Sequence, residues 1–159
     1  MLGLTALGVF HTAISLIAMA AGLVLLIRDK AISARNPAGK IYVITTVITC
    51  LTGFGIFQHG GFGKPHELGI ATLGVLGVAG AAEAGWFGSA SAYIETVGYS
   101  MTFLFHAIAA VNETATRLPV GAPLVASLDA PEMQKAIAAL FAVFLAGAAL
   151  QVMRLRRRA

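Results

Sequence analysis

Five polar side chains recur at helical spacing within one apolar stretch of the sequence, residues 91–117. The steps between them are four, three, four and seven residues, which places them on one face of a helix. They are Glu95, Tyr99, Thr102, His106 and Glu113. Imidazole and carboxylate groups can exchange protons or bind metal ions. Because an ionisable side chain is costly in hydrocarbon, we expect this face to turn toward other helices or a wet cavity.

The composition indicates a membrane protein. Hydrophobic residues make up 58% of the 159 residues, charged residues 11%, and the mean hydropathy is +0.84, whereas about a quarter of an ordinary soluble domain is charged. The net charge is +4, but the basic residues flank apolar segments or end the chain. This placement is typical of membrane anchors, and we expect no nucleic-acid partner.

Apolar runs and turn residues predict an all-α, polytopic transmembrane bundle of about five helices in one domain. The predicted helices cover residues 2–27, 41–58, 66–86, 91–116 and 132–153. The segment 36–39 has turn composition and is expected to precede the second helix. Gly74, Gly77 and Gly80 indicate that neighbouring helices approach the third helix closely.

The basic residues also predict the orientation of the chain. The connection after the first helix holds Arg28, Lys30, Arg35 and Lys40, and the C-terminus is rich in arginine. The positive-inside rule places both segments in the cytoplasm, with the N-terminus outside. We therefore expect a multi-pass protein of the cell (inner) membrane.

Two histidines are predicted to lie at similar depths in the membrane. His11 lies about nine residues below the outer end of the first helix, or about 13 Å at about 1.5 Å per residue, and His106 lies at a similar depth in the fourth. Imidazoles on two helices can ligate haem iron from both sides, which predicts a b-type haem. Tyr99 and Ser15 are the predicted neighbours of this site. The alternative is that both histidines only hydrogen-bond such neighbours and join helices.

The other histidines allow a different site near the outer surface. His59 and His66 flank the connection between the second and third helices, and Glu67 and Glu113 are candidate carboxylates. Together with His11 and His106, these residues could bind a copper or zinc ion, or the headgroup of a quinone. They could also be residues at the membrane interface that bind no ligand, since a histidine at that level costs little free energy.

Three segments carry a resemblance to a known family. They are Phe10-His11-Thr12-Ala13 with Gly22, Asn36-Pro37-Ala38-Gly39-Lys40-Ile41-Tyr42, and Phe105-His106-Ala107. Over about the first 115 residues the chain resembles an uncharacterised family of small bacterial multi-pass membrane proteins. Members often carry a histidine in the first basic loop, where this chain has Asn36-Pro37. The arrangement is also similar to transmembrane bis-histidine haem cytochromes of the ascorbate-reducing type, but the inner half here holds no histidine, which argues against two haems in series.

Three functions remain open. The first is electron transfer through b-type haem, with quinone as a partner. The second is a metal-handling protein or small-solute transporter. The third is a structural or accessory subunit of a larger membrane complex, as the alanine-rich last helix without a polar face suggests. Association into a homo-oligomer is also open. Hydrolysis is not expected, since no serine or cysteine nucleophile stands beside a histidine in a recognisable motif.

Overall fold

The computed structural model describes residues 5–57 and 61–157. This part of the chain is all-helical and contains no strand. Five α-helices follow in order, and they are α1 (Ala6–Arg28), α2 (Pro37–Gly53), α3 (Lys64–Glu83), α4 (Ser91–Arg117) and α5 (Pro131–Arg156). One 3₁₀ turn, Gly88–Ala90, precedes α4. The predicted helical bundle is confirmed at this level.

The start of α2 corrects the sequence interpretation. Residues 37–39 were expected in a turn, but they form the first turn of the helix. The Asn36 side chain accepts a hydrogen bond from the Gly39 nitrogen at 2.9 Å, and Pro37 occupies a first-turn position. An asparagine cap followed by proline is a helix start, because the cap satisfies a backbone donor and proline has none to satisfy.

Three of the described helices are long and apolar enough to cross a membrane, judged by length and composition. They are α1, the segment Gly88–Arg117 that contains α4, and α5. Large apolar side chains such as Leu16, Ile44 and Val143 are exposed, while buried positions hold threonine, glutamate and histidine. This inverted polarity indicates a membrane protein, since lipid accommodates the apolar surface and polar groups must find partners inside.

The helices pack in two hairpins. α1 packs along α2, α3 packs along α4, and α5 packs on α4. A small apolar core joins the hairpins and includes Leu25, Ile32, Tyr42, Leu76, Ala79 and Tyr99. Of the described residues of α5, only Met133 is buried. The helix α5 therefore lies at the outside of the bundle.

The predicted glycine contacts of α3 are wrong. A methyl group added at Gly74 or Gly77 would meet nothing within 4 Å, and one at Gly80 would only reach the Tyr99 hydroxyl. The close approach between α3 and α4 is made by Gly98 of α4 instead, where an added Cβ would lie 3.0 Å from the Ala79 Cβ. The glycine that permits contact is therefore on the partner helix, and the Gly74 and Gly77 face of α3 is open.

Hydrogen bonds gather the basic residues at one end of the bundle. The Gln151 amide donates to the Lys30 carbonyl at 2.9 Å, and Arg154 donates to the Asp29 carbonyl at 3.1 Å. The C-terminal end of α5 therefore lies beside the α1–α2 connection. We call this the basic end, defined by Arg28, Lys30, Arg35 and Arg154.

Candidate functional site

The polar face of α4 is buried as predicted. Glu95 is 7% exposed, Tyr99 2%, Thr102 0% and His106 7%. These side chains are covered by α1, α2 and α3 because the alternative surface would be lipid. Glu113, the last member of the predicted face, differs: its side chain is 53% exposed and pairs with Arg117 one turn later.

His106 is held by a threonine of α2. Its Nε2 lies 3.0 Å from the Thr46 hydroxyl, and the Tyr42 ring meets the imidazole edge-on, with 6.1 Å between ring centroids. Thr46 and Tyr42 are four residues apart, so both project from the same face of α2. Sequence reasoning missed Thr46, although its spacing from Tyr42 was available as a signal.

Tyr42 continues this network toward the middle of α4. Its hydroxyl lies 2.7 Å from the Thr102 hydroxyl, and Thr102 donates to the Tyr99 carbonyl at 2.8 Å. A threonine hydroxyl has one hydrogen, so Thr102 accepts from Tyr42. The Thr46 hydroxyl is close enough to interact with the Tyr42 oxygen as well. The buried series therefore reads His106, Thr46, Tyr42, Thr102.

His11 is oriented by a second threonine of α2. Its Nδ1 lies 3.0 Å from the Thr52 hydroxyl, while Thr52 itself donates to the Ile48 carbonyl at 2.8 Å. Because the single Thr52 hydrogen is used there, the Thr52 oxygen accepts a hydrogen from His11 Nδ1. This assignment leaves Nε2 of neutral His11 with a lone pair, which is the state of a base or a ligand.

No hydrogen bond or ring contact among the described residues joins His11 to His106, so their pairing stays a prediction. The two imidazoles are close enough to interact electrostatically, and His11 interacts in the same way with Glu113. A methyl group at Gly53 would approach the His11 ring to 3.2 Å, so the C-terminal end of α2 covers this histidine tightly. We call His11, Thr52, Thr46 and His106 the histidine site.

The other predicted site residues lie elsewhere. Ser15 donates to the Thr12 carbonyl of its own helix at 2.8 Å, and Tyr99 donates to Glu83 at 2.7 Å. Glu67 is exposed in the first turn of α3. His59 lies outside the described residues.

His66 has a structural environment of its own. Its ring stacks between Phe57 and Phe62, with 5.0 Å between centroids in each case, and its Nδ1 accepts from the Gly63 nitrogen at 3.2 Å. The Nε2 atom therefore carries the hydrogen and is buried, with no hydrogen-bond partner among residues 5–57 and 61–157. A histidine used as an N-terminal cap in this way does not present a lone pair to a metal ion.

A second polar cluster occupies the basic end. Arg35 binds Glu95 with both guanidinium nitrogens and donates to the Glu83 carbonyl at 2.9 Å. The Glu83 carboxylate accepts from Ser33 and from Tyr99, each at 2.7 Å. The hydrogen bonds to Glu95 raise the pKa of the Arg35 guanidinium above its ordinary value. The two carboxylates are thus satisfied by one arginine and two hydroxyls.

A bound haem or metal ion would place specific requirements on the histidine site. Bis-histidine haem needs one nitrogen from each imidazole on opposite faces of the macrocycle. His11 offers Nε2, but His106 Nε2 is occupied by Thr46, so the pair does not fit haem in this arrangement. Within residues 5–57 and 61–157, no group of three or more His, Cys, Asp or Glu side chains is placed to hold a metal ion.

Comparisons with protein-family models, with curated proteins and with solved structures found no match to this chain. The histidine site and the cluster at the basic end are therefore the features from which a function can be inferred.

Proposed function

We propose that the protein is a five-pass membrane protein that transfers protons across the cell (inner) membrane. In this proposal all five helices cross the bilayer, with the basic end in the cytoplasm and the N-terminus outside, as the positive-inside rule favours. The distance along α4 supports the placement. Glu95 and Glu113 are 18 residues apart, or about 27 Å of helix, and a hydrocarbon core is about 30 Å thick.

The observation that carries the proposal is a buried line of proton-carrying groups, in which His106 is hydrogen-bonded to Thr46 and Tyr42 to Thr102. Thr46 and Tyr42 project from the same face of α2. Hydroxyl and imidazole groups both accept and donate protons, so each can pass one on. Ionisable groups stand at both ends of the polar face, with His11 and Glu113 on the outer side and Glu83 and Glu95 on the inner side. Intramembrane ionisable residues mark proton and ion pathways.

The path is not continuous in this arrangement, because no hydrogen bond among the described residues joins Thr46 to Tyr42 or His11 to His106, and Thr102 is turned away from the inner cluster. Thr102 donates to the Tyr99 carbonyl, which cannot carry a proton onward, whereas the Tyr99 hydroxyl already contacts Glu83. Transfer requires the Thr102 hydroxyl to leave that carbonyl, with a water bridging the gap to the inner cluster. Thr102 is therefore the proposed gate.

Proton flux into liposomes tests the function. The purified protein is reconstituted with a pH-sensitive dye inside, a potassium gradient and valinomycin set the potential, and dye acidification is followed. Wild-type protein is expected to conduct above empty liposomes, while His106→Asn and Thr102→Val reduce the flux by about tenfold or more, since each removes a group from the series. Thr45→Val is the matched control, because the Thr45 hydroxyl bonds only backbone carbonyls of its own helix. Flux equal to that of empty liposomes would overturn the proposal.

Electron transfer through b-type haem is the second candidate. The lone pair on His11 Nε2 favours it, but the histidine pair does not fit haem unless His106 exchanges Thr46 for iron. A Soret band in protein purified from haem-replete cells, lost in both His11→Ala and His106→Ala, is the expected result. Colourless protein that conducts protons would decide for the first candidate. The binding of quinone, copper or zinc by this protein stays a prediction.

A further inference from the structure

A groove lies between the basic end of α1, the middle of α4 and the second half of α5. Its cavity volume is about 430 Å³, within the range of about 300–1,000 Å³ typical of sites for small molecules. The walls are apolar and include Leu26, Phe103, Leu140, Phe144, Gly147 and Ala148. No residue of the histidine site lines it, so the groove is separate from the proposed proton path.

The polar lining residues are gathered at the basic end of the groove. They are Lys30, Ser100, Gln151 and Arg154. Ser100 donates to Gln151, and Gln151 donates to the Lys30 carbonyl, so these two neutral side chains satisfy each other and the backbone. The groove is therefore apolar along most of its length and charged at one end.

Both cations at that end lack a carboxylate partner among the described residues. Lys30 Nζ donates to the Ile27 carbonyl and Arg154 to the Asp29 carbonyl, and neither belongs to the ion pairs of residues 5–57 and 61–157. Both side chains are exposed. Two positive charges above an apolar groove complement an anionic headgroup joined to a hydrocarbon chain.

We propose that this groove binds one anionic phospholipid, with an acyl chain along α4 and α5 and the phosphate against Lys30 and Arg154. The charge pattern favours this occupant over a second copy of the chain, because a second copy would bring its own basic end to the same level. The proposal depends on membrane placement but not on proton transfer.

Native mass spectrometry of the detergent-solubilised full chain tests this inference. The protein is titrated with phosphatidylglycerol or with phosphatidylcholine of the same acyl chains. One phosphatidylglycerol is expected to remain bound at activation energies that strip phosphatidylcholine. Substitution of both Lys30→Gln and Arg154→Gln is expected to weaken its retention by about 25-fold, since each basic residue at an anionic surface contributes about fivefold.

Two matched controls separate the site from bulk charge and from folding. Arg156→Gln with Arg157→Gln removes the same net charge outside the groove and is expected to leave retention unchanged. Gly147→Leu places a side chain in the groove, since an added Cβ there meets nothing within 4 Å, and is expected to abolish lipid retention. Gly74→Leu is its control, because it introduces the same side chain at an open glycine outside the groove. Equal retention of both lipids, equal loss with either pair of charge substitutions, or a lipid-independent dimer would overturn the proposal.

Discussion

Arg35 binds Glu95 across the basic end, with 2.9 Å between Nη2 and Oε2, and so joins the α1–α2 connection to the start of α4. The two partners differ in burial: the Glu95 side chain is 9% exposed and the Arg35 side chain 60%. A buried carboxylate depends on its counter-charge more than an exposed guanidinium does, because only the carboxylate has lost its water.

Removal of Arg35 should therefore destabilise the fold more than loss of an exposed ion pair. Arg35→Met is expected to lower the free energy of unfolding by about 2–3 kcal/mol, since it leaves Glu95 buried without its partner. Lys64→Met is the control, because its pair with Asp129 is exposed on both sides and such pairs contribute about 0–1 kcal/mol. Denaturant unfolding in detergent measures both. Equal losses would mean that the burial of Glu95 does not matter.

The second prediction concerns the Tyr99 hydroxyl, which donates to Glu83 at 2.7 Å. Tyr99→Phe keeps the ring but removes a hydrogen bond to a charged group, with an expected cost of about 1.5–3 kcal/mol. Tyr93→Phe makes the same chemical change on the same helix at a hydroxyl with no hydrogen bond in the described structure. If the two variants unfold at the same denaturant concentration, the Tyr99 hydroxyl is not held by Glu83.

Two threonines one turn apart on α2 should respond in opposite directions. Thr46→Val breaks the contact with His106 and should lower the free energy of unfolding by about 1 kcal/mol or more. The Thr49 hydroxyl is buried with no hydrogen-bond partner in the described part of the chain, so Thr49→Val removes an unpaired polar group and should leave stability unchanged or raise it by about 1 kcal/mol. Thermal unfolding of both variants checks the order. A larger loss at Thr49 would indicate an undetected partner for its hydroxyl.

Periodicity could predict the elements of this fold but not the partners inside it. The polar face from Glu95 to His106 was predictable, because one apolar stretch carried polar residues at helical steps. The threonines that meet the histidines were not, since helix pairing decides which face of α2 turns to α1 and α4. The cap at Asn36 was misread as a turn because cap and turn residues overlap. The pairing of His11 with His106 was predicted from depth alone and stays a prediction.

The His11 tautomer is the next prediction. Thr52 should keep the hydrogen of neutral His11 on Nδ1, because the Thr52 hydrogen itself goes to the Ile48 carbonyl. Nitrogen NMR of protein labelled at histidine should show this tautomer in the wild type, and Thr52→Val should shift the population toward Nε2–H. Thr45→Val, on the same helix but without a histidine contact, should leave the spectrum unchanged. A wild-type spectrum dominated by Nε2–H would reverse the assignment of donor and acceptor.

The last prediction is the topology. If five helices cross the membrane with the basic end inside, the α3–α4 connection lies in the cytoplasm and the segment before α5 lies outside. Exposed positions are available in both: Ser89→Cys should label from inside only, and Ala126→Cys from outside only, on a background in which the buried Cys50 is replaced by alanine. A membrane-impermeant maleimide on intact and on permeabilised cells reads out the difference. Three crossings by the most apolar helices alone would give the same labels at both positions but would leave the α2–α3 connection in the cytoplasm. Gly61→Cys, at an exposed position of that connection, should therefore label from outside only in the five-pass arrangement. Labelling of Gly61→Cys from inside, or of Ser89→Cys and Ala126→Cys from the same side, would refute the five-pass arrangement and, with it, a proton path through α4 and α2.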